Sequence, residues 1–380
     1  MSELFLSNGK VIFPREGKVS QTDLYIKEGK IEEIGKSIKV KQPTPRIDLE
    51  GNYLSPGFID LQVNGGRGID FLNCEPEDVN RAGAFWLEHG TTSFLGTIIT
   101  HPLDSMNDSI EILNRSDAKN LLGVHVEGPF LSREKRGTHN PAHLRVPKRE
   151  YFEGIVGDCA ESIKLFTFAP ELEGAEELLS WIERIGGKPS IGHSNAKYEE
   201  ALSFLDRGVC SFTHLFNGMR GFHHRRPGTA GAALNSNAYV GLICDGLHLH
   251  PGAVKLTERA KGVNEICLVT DAIAAAGMDD GDYLLGDQEI TVTNGLAKIE
   301  DGTIAGSTLT METAMKNFMD FTGVSLTKAI RTATLNPARL LGMEEEIGSM
   351  KRGSRADLVL FDEDLKIVLT IVNGEVVFEE

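Results

Sequence analysis

Four residues of this chain stand where chemistry could be done. Glu127, His193, His214 and Asp271 each close a short apolar run: LLGVHVE, PSIGH, VCSFTH and EICLVTD. Two histidines and a carboxylate form a ligand set for a tetrahedral divalent ion that keeps a fourth position open for water. Imidazole suits zinc or iron better than magnesium, which prefers oxygen. Coordination lowers the pKa of such a water from ~15.7 to about 7. Asp271, across the site, would take a proton as general base and later pass it to a leaving amine. Gln62 with Asn64, Thr97, Glu171, and Asp245 with His248 close such runs too. Any one of these could be a satisfied structural group; matching positions on separate runs give the set its weight.

Such residues need a frame. FIDLQV, TTSFLGTIIT, LLGVHVEG, IKLFTFAP, PSIGHSN, VCSFTHLF, YVGLICDG and EICLVTDA are short apolar runs, mostly separated by helical patterns such as Glu173–Ile185 and Lys197–Arg207. Strands covered on both faces read this way. Eight of them with crossovers predict an α/β fold of the (β/α)8 TIM-barrel type, whose catalytic groups gather at the carboxyl ends of the strands. The competing doubly wound sheet would carry a glycine-rich phosphate turn after its first strand, and GxGxxG is absent.

The two ends of the chain have a different style. Asn8-Gly9 predicts a hairpin between ELFLS and KVIF, and Glu28-Gly29 a turn between DLYIK and KIEEI. KVKQPTPR, residues 39–46, reads as a loop, and the carboxyl end repeats the pattern with ADLVLF, KIVLTIV, Asn373-Gly374 and EVVFE. A lone hairpin is marginal in water. Residues 1–54 and 343–380 are therefore expected to pair as one small β-sandwich, with 55–342 inserted as the barrel. After the eighth run, residues 277–305 predict a hairpin over the barrel mouth, and helices over 310–321 and 326–341 complete the barrel.

Composition narrows the function classes. With 39 basic and 55 acidic residues the net charge is −16, which disfavours non-specific binding to nucleic acid. Cys74, Cys159, Cys210, Cys244 and Cys267 are odd in number and widely spaced, which reads as a reducing, cytoplasmic setting rather than a disulfide framework. No apolar run reaches the ~18–20 residues of a membrane span, and the start MSELFLSNGKVIF lacks the pattern of a secretory signal.

Seven motifs in order, PGFIDLQVNG (56–65), HVEGPFL (125–131), KRGTHNP (135–141), GHSNA (192–196), THLFNGM (213–219), CDGLHLHP (244–251) and LVTDA (268–272), carry a resemblance. The chain resembles the N-acetylglucosamine-6-phosphate deacetylase family of the amidohydrolase superfamily, and GSMKRGSRADLVLFD (348–362) is similar to the superfamily's closing β segment. The resemblance implies hydrolysis of the N-acetyl group of a phosphorylated amino sugar, giving glucosamine 6-phosphate and acetate. It places the metal ligands on Glu127, His193 and His214 and the catalytic aspartate on Asp271. His248 would help polarise the amide carbonyl. Substrate contacts would fall on Gln62, Thr138, Asn217, Gly218, Arg225, His248, Ile304, Ala305 and Gly306, with Arg225 a natural phosphate partner through forked hydrogen bonds. One divalent ion per subunit, zinc or else iron or another divalent metal, and a homodimer or homotetramer follow from the same likeness.

Two departures stand out. Much of the superfamily has His-x-His after the first strand to hold a second metal, whereas this chain has Gln62 and Asn64. Neutral amides are poor ligands, so a single metal is expected. Arg226 follows Arg225, where an acidic residue is common. Another amidohydrolase, such as a cyclic amidase or a deaminase, and a non-catalytic barrel scaffold are the alternatives. Plainer readings apply elsewhere: structural roles for His101, His139, His143 and His250, a helix-capping role for His89, a phosphate clamp or a solvated basic loop for His223-His224, and either a support behind the site or a loop ion pair for Glu171.

Overall fold

The computed structural model describes residues 3–40 and 43–380. Met1-Ser2, which open the segment lacking a secretory signal, and Lys41-Gln42 of the predicted 39–46 loop lie outside the described residues.

Each of the eight apolar runs contains a strand: β1 (Phe58–Val63), β2 (Thr91–Ile99), β3 (Leu121–Glu127), β4 (Ile163–Phe168), β5 (Lys188–Ile191), β6 (Ser211–Phe212), β7 (Tyr239–Leu242) and β8 (Ile266–Leu268). Each pairs in parallel with its successor, so sheet order equals chain order. The ring closes from β8 back to β1 through a bridge of Val63 with Ala272. Two backbone bonds reinforce the seam, Asp271 N–H to the Gln62 carbonyl at 2.9 Å and Asn64 N–H to the Ala272 carbonyl at 2.7 Å. Beneath it the buried Asp60 carboxylate accepts from the Thr270 hydroxyl at 2.5 Å and the Gln62 amide at 3.1 Å. Barrel closure thus also fixes the backbone of the residues that end β1 and β8.

Helices cross between successive strands; most bury one face, whereas Gly228–Leu234, between β6 and β7, is buried nearly all round. In the helix Pro76–Glu88, Val79, Ala82, Gly83, Phe85, Trp86 and Leu87 are buried, the spacing of an apolar stripe. Pro76 suits its first position, and the Asp78 carboxylate accepts from the Glu75 amide at 2.9 Å as a cap. The helix predicted over 326–341 is two, Leu326–Ala333 and Leu335–Leu341, broken at Thr334. Pro337 accounts for the break, because its ring would clash with the carbonyl four residues back.

The chain ends meet in one eight-stranded sheet. Leu358–Phe361 lies antiparallel to Tyr53–Pro56, which joins the carboxyl-terminal strands to Glu3–Phe13 and its partners. Alternation along these strands serves two cores. Leu358 and Leu360 join Leu6, Leu24, Leu54 and Ile371 in the sheet's own apolar cluster, while Val359 and Phe361 join the barrel core.

Asn8-Gly9 does not turn the chain: Glu3–Phe13 is one strand with a bulge between Leu6 and Gly9. Asn8 sits at φ +61° and its side-chain amide donates to Asp48 at 2.9 Å. Before the bulge the strand pairs with Arg46–Asp48, after it with Tyr53–Pro56, so the Asn-Gly pair switches partners instead of reversing direction. Glu28-Gly29 and Asn373-Gly374 are true two-residue hairpin loops with both residues at positive φ. The insert after β8 is a three-stranded antiparallel sheet, Gly281–Leu285, Gln288–Thr293 and Leu296–Lys298, one strand more than the predicted hairpin. Its apolar side, with Leu285, Ile290, Val292 and Ala297, packs on Ile99 and Ile273 at the barrel rim. Among the described residues no helix is long and apolar enough to cross a membrane, and all five cysteines are unpaired.

Candidate metal centre and active site

Glu127 ends β3, and His193 and His214 follow β5 and β6 by two residues each. Their side chains converge in a buried cluster. One carboxylate oxygen of Glu127 lies 3.2 Å from His193 Nε2 and 2.9 Å from His214 Nε2, and the two ring nitrogens are 3.1 Å apart. His193 Nδ1 faces the Lys135 carbonyl at 2.8 Å, which holds the ring proton there and turns the Nε2 lone pair inward. Acceptor atoms crowded at about 3 Å repel unless a proton or a metal ion sits among them. The edge of a tetrahedron with ~2.0–2.1 Å bonds is about 3.3 Å, so these spacings fit a zinc- or iron-like ion.

The backbone carries strain to make this arrangement. His193, His214 and Asp271 lie at φ +45°, +31° and +51°, in the left-handed region that costs a non-glycine residue about 1–3 kcal/mol. Gly218 lets the next loop close in, since a Cβ there would meet His193 Nδ1 at 2.6 Å. Glu171, which follows β4, braces the turn after His193: it accepts from the Ser194 hydroxyl at 2.7 Å and from the Asn195 amide at 2.5 Å.

Gln62 and Asn64 hold the two carboxylates. Gln62 Nε2 donates to the second oxygen of Glu127 at 3.1 Å, and Asn64 Nδ2 donates to Asp271 at 2.8 Å. Burial, and then the negative charge of Glu127, push Asp271 up to about 6. His248 Nδ1 lies 2.6 Å from Asp245, whose other oxygen accepts the His248 and Leu247 amides at 2.8 Å each. Burial works against the Asp245 charge, yet the His248 contacts outweigh it and hold its pKa below the ordinary value.

A cavity of about 260 Å3 opens above the cluster. Glu127, His193, His214, Asp271 and His248 line it, with Asn64, Thr138, Asn217, Gly218, Ile304 and Gly306. Ala305 is buried in the insert's core instead, its amide bonded to the Ala297 carbonyl. Gln62 lies behind Glu127. Arg225 is in an exposed loop and does not line the cavity. His139 is at the centre, although the sequence marks it only as a loop residue. Its Nδ1 lies 2.9 Å from the Thr100 hydroxyl and 3.3 Å from the Thr100 amide, and its Nε2 lies 3.3 Å from His193 Nε2. Burial, then His193, lower its pKa to about 3 and keep it neutral. Glu127, His139 and His193 also offer ligand atoms within 4.8 Å of one another. Leu285 and Thr303 of the insert also line the cavity. None of these three closes a strand, the signal that revealed the rest.

A model of the amidohydrolase family matches residues 53–377, from the last strand of the amino-terminal segment through the whole barrel. The chain belongs to the amidohydrolase family. Within this family it is 36% identical over 387 residues to an N-acetylglucosamine-6-phosphate deacetylase of Bos taurus, covering 96% of this chain and 93% of that one. The crystal structure of an N-acetylglucosamine-6-phosphate deacetylase from Thermotoga maritima superposes with a TM-score of 0.89 at 38% identity, covering 99% and 100% of the two chains. A mutant N-acetyl-D-glucosamine-6-phosphate deacetylase from Mycobacterium smegmatis, in complex with N-acetyl-D-glucosamine-6-phosphate, superposes with a TM-score of 0.92 at 30% identity, covering 99% and 100%. The barrel and its buried Glu and His cluster are those of a metal-dependent amidohydrolase.

Proposed function

We propose that this protein hydrolyses the acetamido group of N-acetylglucosamine 6-phosphate, releasing acetate and glucosamine 6-phosphate. The observation that carries the reading is Asp271, lifted toward neutrality, lining one cavity with the convergent Glu127, His193 and His214. Full-length likeness to named deacetylases supplies the substrate class.

Glu127, His193 and His214 would hold one divalent ion, zinc or iron, which supplies Lewis acidity toward the amide carbonyl and water. Asp271 takes a proton from the attacking water and returns it to the amine nitrogen as the C–N bond breaks. Asn64 aims Asp271 through its hydrogen bond, and Gln62 fixes the carboxylate plane of Glu127. His248, its Nδ1 proton held by Asp245, offers its other ring nitrogen to the developing oxyanion. Thr138, Ile304 and Gly306 contact the sugar, with Ala305 supporting them from behind. Asn217, Gly218 and Arg225 bind the phosphate. Because Arg225 is exposed away from the cavity of its own chain, a homodimer or homotetramer that brings this loop to a site is part of the proposal. Residues 1–54 and 343–380 are read as one discontinuous β unit and 55–342 as the catalytic barrel. The unpaired cysteines support a cytoplasmic setting.

Acetate release by protein purified with its metal tests the reading. Turnover of N-acetylglucosamine 6-phosphate, abolished by a chelator, restored by zinc or iron and far slower for the unphosphorylated sugar, is the expected result. No turnover of either sugar after metal is resupplied would point to another amidohydrolase substrate.

A further inference from the structure

The insert over the mouth touches the barrel at its Leu285–Gln288 turn, and the contacts there join two parts of the cavity wall. Leu285 lines the cavity from the insert; Thr138 and His139 line it from the loop after β3. Asp287, two residues past Leu285, accepts from Asn140 Nδ2 at 2.6 Å and lies 3.3 Å from His143 Nε2. Asn140 directly follows His139, and its own Oδ1 accepts the Ala142 amide at 3.0 Å, so the loop is folded around the residue that holds Asp287. The turn is seated from a second side by Asp70, buried after β1, which accepts the Gly286 amide at 2.8 Å. The His101 ring, from the loop after β2, stands where a Cβ on Gly286 would meet it at 3.5 Å, and it faces the His143 ring edge-on at 5.7 Å.

We propose that Asp287 is a positioning residue: it latches the insert to the loop carrying Thr138 and His139 and so sets the width of the cavity mouth. Asp70 fixes where the turn sits on the barrel, whereas Asp287 alone among the turn's side chains ties it to the opposite wall. Releasing the latch lets Thr138 move apart from Leu285, while the Thr100 and His193 contacts keep His139 in place and Glu127, His193, His214 and Asp271 keep their positions above the strands. Substrate capture weakens and the chemical step does not.

This inference rests on the proposed deacetylase reading for its kinetic arm, and a second arm is independent of it. In the holoenzyme, Asp287→Ala should raise KM about three- to tenfold, the range expected for one or two modest hydrogen bonds, with kcat nearly unchanged. Asp287→Asn retains an acceptor for Asn140 and should recover most of the loss. Without any substrate, Asp287→Ala should speed amide hydrogen exchange across residues 137–143 and 285–288. Unchanged KM together with unchanged exchange would overturn the latch, as would an equal fall in kcat for both variants. If wild-type protein turned over neither sugar, the deacetylase reading would fail while the exchange arm still decided the latch.

Discussion

Two polar layers lie one above the other in this barrel, built from the same strands, and they behave in opposite ways. In the lower layer His125, two residues before Glu127 on β3, has both ring nitrogens paired, Nδ1 with the Thr97 hydroxyl at 3.3 Å and Nε2 with that of Thr167 at 2.8 Å. Thr167 continues to Thr213 at 2.6 Å, and Thr213 to Ser190 at 2.7 Å. Burial pushes His125 down to about 4, so it stays neutral inside a closed network. In the upper layer, one oxygen of Glu127 and the Nε2 atoms of His193 and His214 crowd within 3.2 Å of one another, and His214 Nδ1 and Asn64 Oδ1 have no partner among the described residues. Burial is equal in the two layers; satisfaction is not. A buried polar cluster left incomplete, on strained backbone, is the one arranged for a ligand.

The sharpest break between the layers should come at Asp271. Asp271→Asn keeps the shape and the Asn64 neighbour but removes the base, so kcat should fall about 10²- to 10⁴-fold with metal content unchanged. Its raised pKa also fixes the direction of the pH dependence. The carboxylate is the active form, so kcat/KM should drop as pH falls through about 6, where Asp271 takes up a proton. A cation beside Glu127 offsets part of the charge that raises it, which puts the holoenzyme midpoint at or below that figure. A variant retaining near-full turnover would remove Asp271 from this role.

A smaller effect should follow from loosening a ligand without removing it. Gln62→Leu deletes the donor to Glu127 while filling similar space, and outer partners of this kind are typically worth about 10- to 100-fold in metal affinity. Competition with a chelator should show that loss, and excess metal should restore most of the turnover. Equal metal affinity in variant and wild type would mean that Glu127 is held by its two histidine neighbours alone.

The upper layer was legible because barrel strands end in a recognisable way. Apolar runs stop at a polar residue, and those residues share one rim, so Glu127, His193, His214 and Asp271 could be found from their position in the run. His139 carried no such mark: it lies in a loop, and only the fold after β3 returns it to His193. Gln62 and Asn64 were visible as neutral replacements for ligands, but their partners Glu127 and Asp271 are 65 and 207 residues away. Asn8-Gly9 misled for a related reason. The same dipeptide serves a hairpin or a bulge, and which one forms depends on Arg46–Asp48 and Tyr53–Pro56, strands that local sequence does not pair. The barrel was readable from periodicity; long-range polar partners were not.

The lower layer offers the converse substitution. His125→Leu removes a ring whose bonds are all internal, and its partners keep others: the Thr97 hydroxyl still accepts the Val63 amide at 3.1 Å, and Thr167 still pairs with Thr213. The loss should be about 1–3 kcal/mol of stability, the cost of disturbing a buried hydrogen-bonded group. It should appear as a lower thermal midpoint for metal-loaded and metal-free protein alike. Metal content and kcat should stay within a few-fold of wild type, because nothing in the His125 network touches Glu127, His193 or His214 through a side-chain bond. If His125→Leu instead abolished metal binding while leaving the fold intact, the two layers would be one coupled device, and burial with full satisfaction would no longer separate a structural histidine from a functional one.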